Sequence, residues 1–250
     1  MRAEPTLIWR PGCASCAAVK EFLTVNEVAF ESVNPTDPDG AVRWAALGRP
    51  RVPSLVLDGH TTALYHVSQA AALLGLATAE SAQSLRLAWD IAAVLEAWSD
   101  DLAAISWQLM TTATRSRGRT VRNLTVNVHE PVRQLQVAWE HGQFVWDTDQ
   151  DERRACALED VSAVRSYAEL ATAEWIMFLA DVGDQLGRPG HQVQAGEETL
   201  SFDALLDAQR FHAAFHYRQL RSFLAEWDAA PSGSLDVARL DGLRLPENAF

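Results

Sequence analysis

The sequence predicts an α/β domain followed by an all-α domain, namely a βαβαββα unit joined to a four-helix bundle. Up to residue 76, short apolar segments alternate between strand-like and helix-like spacing. Beyond that point, apolar residues recur every three or four positions over long stretches, a pattern typical of amphipathic helices. With 250 residues, 48% of them apolar, the chain is long enough for two domains that each have a core.

The first domain is expected to span residues 1–76. Its elements are predicted in the order strand, helix, strand, helix, two strands of a hairpin and a closing helix, at residues 7–9, 14–24, 28–33, 41–47, 54–57, 61–65 and 68–74. Strands separated by helical segments favour crossover connections and a sheet that is covered by helices. The turn Asp58-Gly59 is typical of a hairpin, so the last two strands should be antiparallel.

The second domain is expected at residues 84–227, after a linker at 77–83 and before an irregular tail at 228–250. It shows no strand pattern. Its four amphipathic stretches cover residues 87–109, 121–139, 161–186 and 202–227. The segment Gly-Arg-Pro-Gly at 187–190 separates the last two stretches. Four such helices joined by loops pack most economically as a bundle.

Charge and composition exclude several classes of function. The chain has 33 acidic and 21 basic side chains and a formal net charge of −12, whereas nucleic-acid binding needs a concentrated basic face. No apolar run approaches the ~18 residues of a membrane span, and the first strand begins too early for a secretory signal. We therefore expect a cytoplasmic protein without nucleic-acid or membrane partners, and the sequence leaves oligomerisation open. The acidic run at 147–152 is interpreted as a solvated loop and helix start.

Cys13 and Cys16 are the candidate catalytic residues of the first domain. They are spaced as Cys-Ala-Ser-Cys between the first strand and the first helix. Backbone N–H groups at a helix start stabilise a thiolate, so Cys13 could attack a disulfide and Cys16, one turn later, could resolve the mixed intermediate. The alternative, half of a structural zinc site, needs two further soft ligands nearby, but Cys156 lies in the other domain. Redox chemistry is therefore favoured.

The active-site segment has a family resemblance. Residues 9–20, Trp-Arg-Pro-Gly-Cys-Ala-Ser-Cys-Ala-Ala-Val-Lys, and residues 51–54, Arg-Val-Pro-Ser, resemble the glutaredoxin branch of the thioredoxin fold over about residues 5–76. The resemblance implies that Pro53 follows a cis peptide bond and that the Val52 backbone faces Cys13 and binds a thiol tripeptide or a substrate strand. An ordinary proline at a strand start is the alternative for Pro53.

The same resemblance implies that Arg10 binds a carboxylate of a low-molecular-weight thiol, such as glutathione or mycothiol. The sequence departs from the family in two places. Ala14-Ser15 stands between the cysteines where Pro-Tyr is common, and no Gly-Gly-x-Asp-like motif occurs at residues 65–68. The identity of the thiol is therefore left open.

Three histidines are the candidate metal ligands of the second domain. His212 and His216 are four residues apart, which places both on one helix face at a spacing that suits one metal ion. That face continues as an apolar stripe, so both imidazoles should be buried and either neutral with hydrogen bonds or bound to metal. Metal is favoured for such a pair, and His129 is the best candidate for a third ligand. Pro131 is expected to kink the helix just beyond it.

These histidine segments also resemble a family. The runs Gly-Arg-Thr-Val-Arg-Asn-Leu at 118–124 with His129, and Phe-His-Ala-Ala-Phe-His-Tyr-Arg-Gln-Leu at 211–220, look like the DinB-like four-helix metalloproteins over about residues 84–227. The resemblance implies a bundle in which His129, His212 and His216 hold a divalent metal, often zinc or nickel. Family members with known activity include thiol-dependent S-transferases and isomerases. Three protein ligands leave one position open, as in catalytic sites.

Taken together, the sequence predicts an enzyme that handles thiols. The dithiol domain would reduce a disulfide or mixed thiol adduct, with a small-molecule thiol or a protein disulfide as partner. The metal domain would transfer or isomerise a related thiol substrate. Two alternatives stay open: a sensor whose metal or ligand binding is regulated by the dithiol, and a glutaredoxin with a structural helical appendage.

Overall fold

The computed structural model describes residues 4–64, 67–76, 84–186, 190–233, 235–237, 240 and 242–246. The backbone divides into two compact units, one built on the first 80 residues and the other on residues 81–244. The expected linker at 77–83 lies outside the described residues, as do 65–66 and 187–189 and parts of the expected tail. In the described part of the chain, no helix is long and apolar enough to cross a membrane.

The first unit has the predicted order of elements. These are β1 (Thr6–Ile8), α1 (Ala14–Val25), β2 (Glu31–Val33), α2 (Pro38–Ala46), β3 (Ser54–Leu57), β4 (His60–Ala63) and α3 (Val67–Leu74). The sheet order is β2-β1-β3-β4, with β1 parallel to β2 and antiparallel to β3. The β3–β4 hairpin is antiparallel as predicted. Asp58 and Gly59 both have positive φ, 50° and 79°, which a tight hairpin turn requires.

A small apolar core holds this unit together. One face of the sheet contributes Leu7 and Leu55, and α1 contributes Val19 and Leu23, all almost inaccessible to solvent. β1 is buried along its whole length, so packing in the core fixes the position of its carboxyl end. The chain leaves that end and enters α1, so the core positions the start of α1 rigidly.

The second unit consists of helices and a small sheet. Its elements are α4 (Ser84–Leu102), α5 (Trp107–Thr111), α6 (Val121–His141), β5 (Gln143–Phe144), α7 (Thr148–Ala157), α8 (Val161–Val182), a 3-10 helix (Gly183–Gln185), β6 (Gln192–Ala195), β7 (Glu198–Ser201) and α9 (Phe202–Glu226). The long helices α4 and α6 each pack against α8 and α9. The indole N–H of Trp98 on α4 donates to Thr125 Oγ1 on α6 at 3.1 Å, and Trp175 on α8 donates to the Ala88 carbonyl on α4 at 3.0 Å.

The ends of α6 follow from local sequence. Thr120 caps its start, because its Oγ1 accepts from the Asn123 N–H at 3.1 Å, and the Asn123 amide oxygen accepts from the Thr120 N–H in return. Gly142 ends the helix in the left-handed conformation at φ 67°. The helix continues through Pro131. His129 therefore stands in the middle of a continuous element and not at a break.

Two features of the second unit differ from the prediction. The continuous helix expected at 87–109 is wrong, because α4 ends at Leu102 and a short α5 begins after Ser106, whose hydroxyl accepts from the Leu109 N–H. The all-α assignment is also wrong in part, because β5, β6 and β7 form a three-stranded sheet. Its strands have two to four residues, too few for an alternating pattern to stand out.

A buried carboxylate fixes part of the expected tail to the helices of the second unit. Asp101 on α4 is 0% exposed and accepts from the Tyr217 hydroxyl at 2.9 Å and from the Gly233 N–H at 2.6 Å. Gly233 comes so close that a Cβ would lie 2.8 Å from the Ala97 carbonyl oxygen. Arg221 donates to the Gly233 carbonyl at 2.9 Å and lies 3.6 Å from the Asp101 carboxylate. The chain after α9 is thus held by polar contacts in a buried setting.

We expect Asp101→Ala to lower the free energy of unfolding by about 3 kcal/mol, because the buried Tyr217 hydroxyl and Gly233 N–H lose their acceptor. Urea denaturation measures the change. The matched control is Asp100→Ala, which removes an exposed carboxylate from the neighbouring position and should change stability by less than about 0.5 kcal/mol. Equal effects of the two substitutions would contradict the role given to Asp101.

Candidate functional site

The first candidate site is the cysteine pair at the start of α1. Cys13 is the residue that caps the helix, and Cys16 lies one turn further on. The two sulfurs are paired as a disulfide, with the Cα atoms 5.2 Å apart. The Cys16 N–H donates to Cys13 Sγ at 3.3 Å. Cys16 is fully buried whereas Cys13 is partly exposed, so an incoming molecule can reach Cys13 first.

The other residues predicted for this site lie on two segments of the same unit. Val52-Pro53 is a cis peptide bond, as predicted, with Pro53 buried and Val52 half-buried just before β3. Arg10 is half-buried in the β1–α1 loop, its Nε has no hydrogen-bond partner among the described residues, and burial lowers its pKa. That the Val52 backbone faces Cys13 stays a prediction. The role of Arg10 as a carboxylate ligand also stays a prediction.

The second candidate site is the histidine pair on α9. His212 and His216 are 4% and 1% exposed, so the prediction that they face the interior is confirmed. Their ring centroids are 4.7 Å apart. His216 Nδ1 donates to Gln219 Oε1 at 2.6 Å, and the same oxygen accepts from the Ser116 hydroxyl at 3.2 Å. In a neutral imidazole this leaves the lone pair on His216 Nε2. His212 Nδ1 is buried without a hydrogen-bond partner among the described residues.

His129, the third predicted ligand, is 0% exposed in the middle of α6. Its Nδ1 donates to the Thr125 carbonyl at 2.7 Å, so the lone pair of the neutral ring is on Nε2. That nitrogen has no hydrogen-bond partner in the described part of the chain. The ring packs edge-on against Trp98 and Tyr167, with centroids 6.2 Å and 6.3 Å away. An oriented imidazole with one free nitrogen is the state in which histidine binds metal.

All three imidazoles are kept neutral. Burial lowers the pKa of His129 to about 4 and that of His212 to about 3, and it holds the pKa of His216 well below its ordinary value. The guanidinium groups of Arg117 and Arg119 lower the pKa of both α9 histidines further. At neutral pH the histidine nitrogens are therefore not charged donors but neutral ligands or hydrogen-bonding groups.

The histidines do not all come together. His212 and His216 are in contact, but no ring contact joins either of them to His129 among the residues described. Within the same residues, no group of three or more histidine, cysteine, aspartate or glutamate side chains is arranged to hold a metal ion. Each imidazole by itself is a suitable metal ligand, but the three are not assembled into one site among the described residues. The three-histidine centre stays a prediction.

The structure adds polar residues that sequence reasoning missed. The Trp146 ring lies edge-on to His212, with centroids 4.9 Å apart, and its N–H donates to Asp151 Oδ2 at 2.8 Å. Asn127 on α6 also hydrogen-bonds to Asp151 and accepts from Arg119 at 3.1 Å. These contacts connect α7 with α6, α9 and the loop before α6. These residues come from segments that are far apart in the sequence, so no sequence spacing could have predicted that they meet in the folded chain.

Asp151 corrects the interpretation of the acidic run at 147–152. Asp147 does cap α7, as a helix start requires, but Asp151 is 5% exposed. Burial raises the pKa of Asp151 to about 6, opposed by the hydrogen bond from Trp146 and assisted by the charge of Glu130. One carboxyl of the run thus belongs to the interior of the unit and not to a solvated loop.

Comparison with protein-family models, with curated proteins and with solved structures gave no match. The resemblances to glutaredoxins and to DinB-like metalloproteins therefore rest on the sequence motifs.

We expect the stability difference between Asp151→Asn and the native chain to depend on pH. A carboxyl whose pKa is about 6 when folded and 3.8 when unfolded destabilises the fold progressively as pH rises through that interval. Asparagine does not ionise. The free energy of unfolding of the variant, relative to that of the native chain, should therefore rise by about 1 to 2 kcal/mol between pH 4 and pH 6.5. Urea denaturation over this range measures the gain. The control is Asp149→Asn, which changes an exposed residue of the same helix and should show no such dependence on pH. A stability difference for Asp151→Asn that does not change with pH would refute the raised pKa of Asp151.

Proposed function

We propose that the first unit is a glutaredoxin-like thiol–disulfide oxidoreductase with Cys13 as nucleophile and Cys16 as resolving thiol. The proposal is carried by the placement of the two sulfurs: they lie within bonding reach across one helical turn, with Cys13 partly exposed and Cys16 buried. The N–H of Cys16 is directed at Cys13 Sγ, and a backbone donor at a helix start stabilises a thiolate. A reduced dithiol persists in a reducing compartment, so we place this activity in the cytoplasm.

The reaction proceeds by two exchanges. The Cys13 thiolate attacks one sulfur of a substrate disulfide, the Cys13–substrate disulfide forms, and the first substrate thiolate leaves and takes a proton from solvent. Cys16 then loses its proton to solvent and attacks Cys13 Sγ, which releases the second substrate thiolate. The substrate gains two electrons and the dithiol becomes the intramolecular disulfide. Two equivalents of a low-molecular-weight thiol, such as glutathione or mycothiol, reduce that disulfide by the reverse exchanges and leave as their own disulfide.

Two further residues would hold the thiol substrate. The backbone of Val52, before Pro53, offers polar groups that could pair with an extended thiol peptide. Arg10 supplies a guanidinium in the loop that leads to Cys13, and its partly buried position strengthens attraction for a carboxylate. Small-molecule thiols or disulfides are therefore the proposed partners, and a protein disulfide is the larger alternative.

We expect Cys13→Ser to lower the rate of hydroxyethyl disulfide reduction by glutathione at least about 100-fold, because a hydroxyl is a far weaker nucleophile than a thiolate. Cys16→Ser should instead accumulate the mixed disulfide on Cys13, detected as a mass increase. Cys156→Ser is the control, since Cys156 is an exposed cysteine of the other unit. Equal rates for the native chain and Cys13→Ser would reject the proposal.

For the second unit we infer a DinB-like metal-dependent function on thiols, with His129, His212 and His216 holding a divalent ion such as zinc or nickel. Two observations support it. The hydrogen bonds made by Nδ1 of His129 and His216 leave their Nε2 lone pairs available, and buried nitrogens of His129 and His212 have no hydrogen-bond partner in the described chain. A bound metal with an open position would supply a Lewis acid that favours a thiolate. Gln219 and Thr125 orient the imidazoles.

Metal content tests this second proposal. The chain purified without chelator should contain close to one equivalent of zinc or nickel, and His212→Ala and His216→Ala should each lower that content at least about tenfold, since second-shell changes alone cost 10- to 100-fold in affinity. His129→Ala should do the same if it is the third ligand. His141→Ala is the matched control, because His141 is an exposed histidine at the end of α6. A metal-free native chain, or undiminished metal in the α9 variants, would reject the metal site.

The same measurements separate the alternatives. Metal together with turnover of a thiol substrate identifies an enzyme in both units. Metal without turnover, combined with ligand affinity that changes on oxidation of Cys13 and Cys16, identifies a redox-regulated sensor. Absence of metal leaves a glutaredoxin-like enzyme with a structural helical appendage.

A further inference from the structure

We propose that Gln209 and His212 on α9 form a binding site for an uncharged ligand group that donates a hydrogen bond, such as an amide or a hydroxyl, and that the Trp146 ring covers this site. The inference goes beyond the proposed function of the second unit, in which Gln209 and Trp146 have no part. It needs no metal. A metal at the other nitrogen of His212 would leave Nδ1 as an N–H donor to the ligand, so the two proposals are compatible.

Two polar atoms on one turn of α9 are buried. Gln209 and His212 are 5% and 4% exposed, and their spacing along the helix places both side chains on one face. Gln209 Oε1 and His212 Nδ1 have no hydrogen-bond partner within the described part of the chain. Folded proteins rarely leave buried polar atoms unpaired, because each such atom loses its hydrogen bonds to water. Two of them on one helical turn therefore point to a ligand that supplies the missing partners.

The two atoms define the chemistry of the ligand. An amide oxygen such as Gln209 Oε1 only accepts hydrogen bonds, so the ligand must present an N–H or O–H group to it. His212 Nδ1 donates in one tautomer and accepts in the other, so it can pair with the carbonyl oxygen of an amide or with a hydroxyl. An uncharged ligand group avoids the large free-energy cost of burying an ion beside an uncharged glutamine. A neutral amide or alcohol is therefore the class of molecule that suits this pair.

The Trp146 ring lies on the solvent side of this pair. Its edge-on contact with His212, with centroids 4.9 Å apart, joins a half-buried ring to an almost fully buried one. Trp146 belongs to the irregular connection between β5 and α7, where Val145 is 57% exposed, and its N–H donates to Asp151 Oδ2 at 2.8 Å. A ligand therefore reaches His212 when this ring turns aside. The same ring offers a large apolar surface to the body of the ligand.

Chemical modification of His212 tests the cover. Diethyl pyrocarbonate acylates neutral imidazole, and tandem mass spectrometry resolves His212 from His216 within one peptide. Trp146→Ala should raise the rate of His212 modification at least about tenfold, because the ring no longer shields it from the reagent. Trp146→Leu, a smaller change, should act in the same direction. The control is Trp89→Ala, which removes an exposed tryptophan on α4 and should leave the rate unchanged. An unchanged rate in variants of Trp146 that are folded by far-UV circular dichroism would show that Trp146 does not cover the site.

N-methylbenzamide and methyl benzoate test the class of ligand. The two compounds have the same ring and nearly the same shape, but the amide N–H of the first is an ester oxygen in the second. In the full-length chain with nitrogen-15 in its histidine side chains, we expect N-methylbenzamide to shift the His212 NMR signals with saturation in the millimolar range. Methyl benzoate should bind at least about tenfold more weakly, because it leaves Gln209 Oε1 unpaired. Equal responses to the two compounds, or no saturable response to the amide, would overturn the proposal.

Substitutions of Gln209 locate the site. Gln209→Leu and Gln209→Met both remove the acceptor, so N-methylbenzamide and methyl benzoate should bind these variants with equal affinity. Without ligand, neither substitution should lower the midpoint of urea denaturation, whereas the loss of a structural hydrogen bond would lower it. The control is Gln108→Leu, which changes an exposed glutamine on α5 and should keep the preference for the amide. A preference that persists in either folded Gln209 variant contradicts the proposal, and so does a midpoint that both substitutions lower.

Metal content, measured on the same samples, separates this inference from the metal proposal. A preference for the amide over the ester in metal-free native protein supports the ligand site while the metal proposal fails. Bound metal without any preference for the amide supports the metal proposal while the ligand site is rejected.

Discussion

The side-chain oxygen of Gln219 is the contact on which the polar interior of the second unit depends. It is fully buried and accepts from His216 Nδ1 at 2.6 Å and from the Ser116 hydroxyl at 3.2 Å. The first bond fixes the tautomer and orientation of one imidazole, and the second fixes Ser116, in the loop before α6, beside it. Because an unpaired buried acceptor or donor costs free energy comparable to a lost hydrogen bond, the three groups support one another. The same oxygen thus determines both which nitrogen of His216 carries the lone pair and where Ser116 packs against α9.

The first unit keeps one sulfur partly accessible and another inaccessible. The buried strand β1 and the core residues of α1 hold the helix start in place, and helical geometry then puts Cys16 inside one turn after Cys13. The partly exposed sulfur of Cys13 accepts a hydrogen bond from a backbone N–H, and such a donor favours the charged form of a reduced sulfur. Burial of Cys16 excludes bulky disulfides from it, so the accessibility of the two sulfurs agrees with the proposed order of attack.

Features that depend on residue spacing could be predicted from the local sequence alone. The hairpin at Asp58-Gly59, the position of the cysteines at a helix start and the inward face of His212 and His216 all follow from short-range patterns, and the structure has them. The break between α4 and α5 was missed because the apolar stripe continues across it, so periodicity alone cannot show where the backbone turns. The strands β5 to β7 were missed because each has at most four residues. Arg117, Arg119 and Asp151 were missed because their surroundings are created by α6, α7 and α9 meeting in space.

The electrostatics of the histidine site bear on the proposed metal. A divalent cation at His212 and His216 would be repelled by the positive charges of Arg117 and Arg119, which also lower the pKa of both histidines, and neutral imidazoles alone do not compensate for that repulsion. The proposed metal site therefore needs a negatively charged ligand in addition to the imidazoles, and a thiolate substrate at the open position would supply it. By linkage, a thiolate that binds more tightly when the metal is present strengthens metal binding by the same factor.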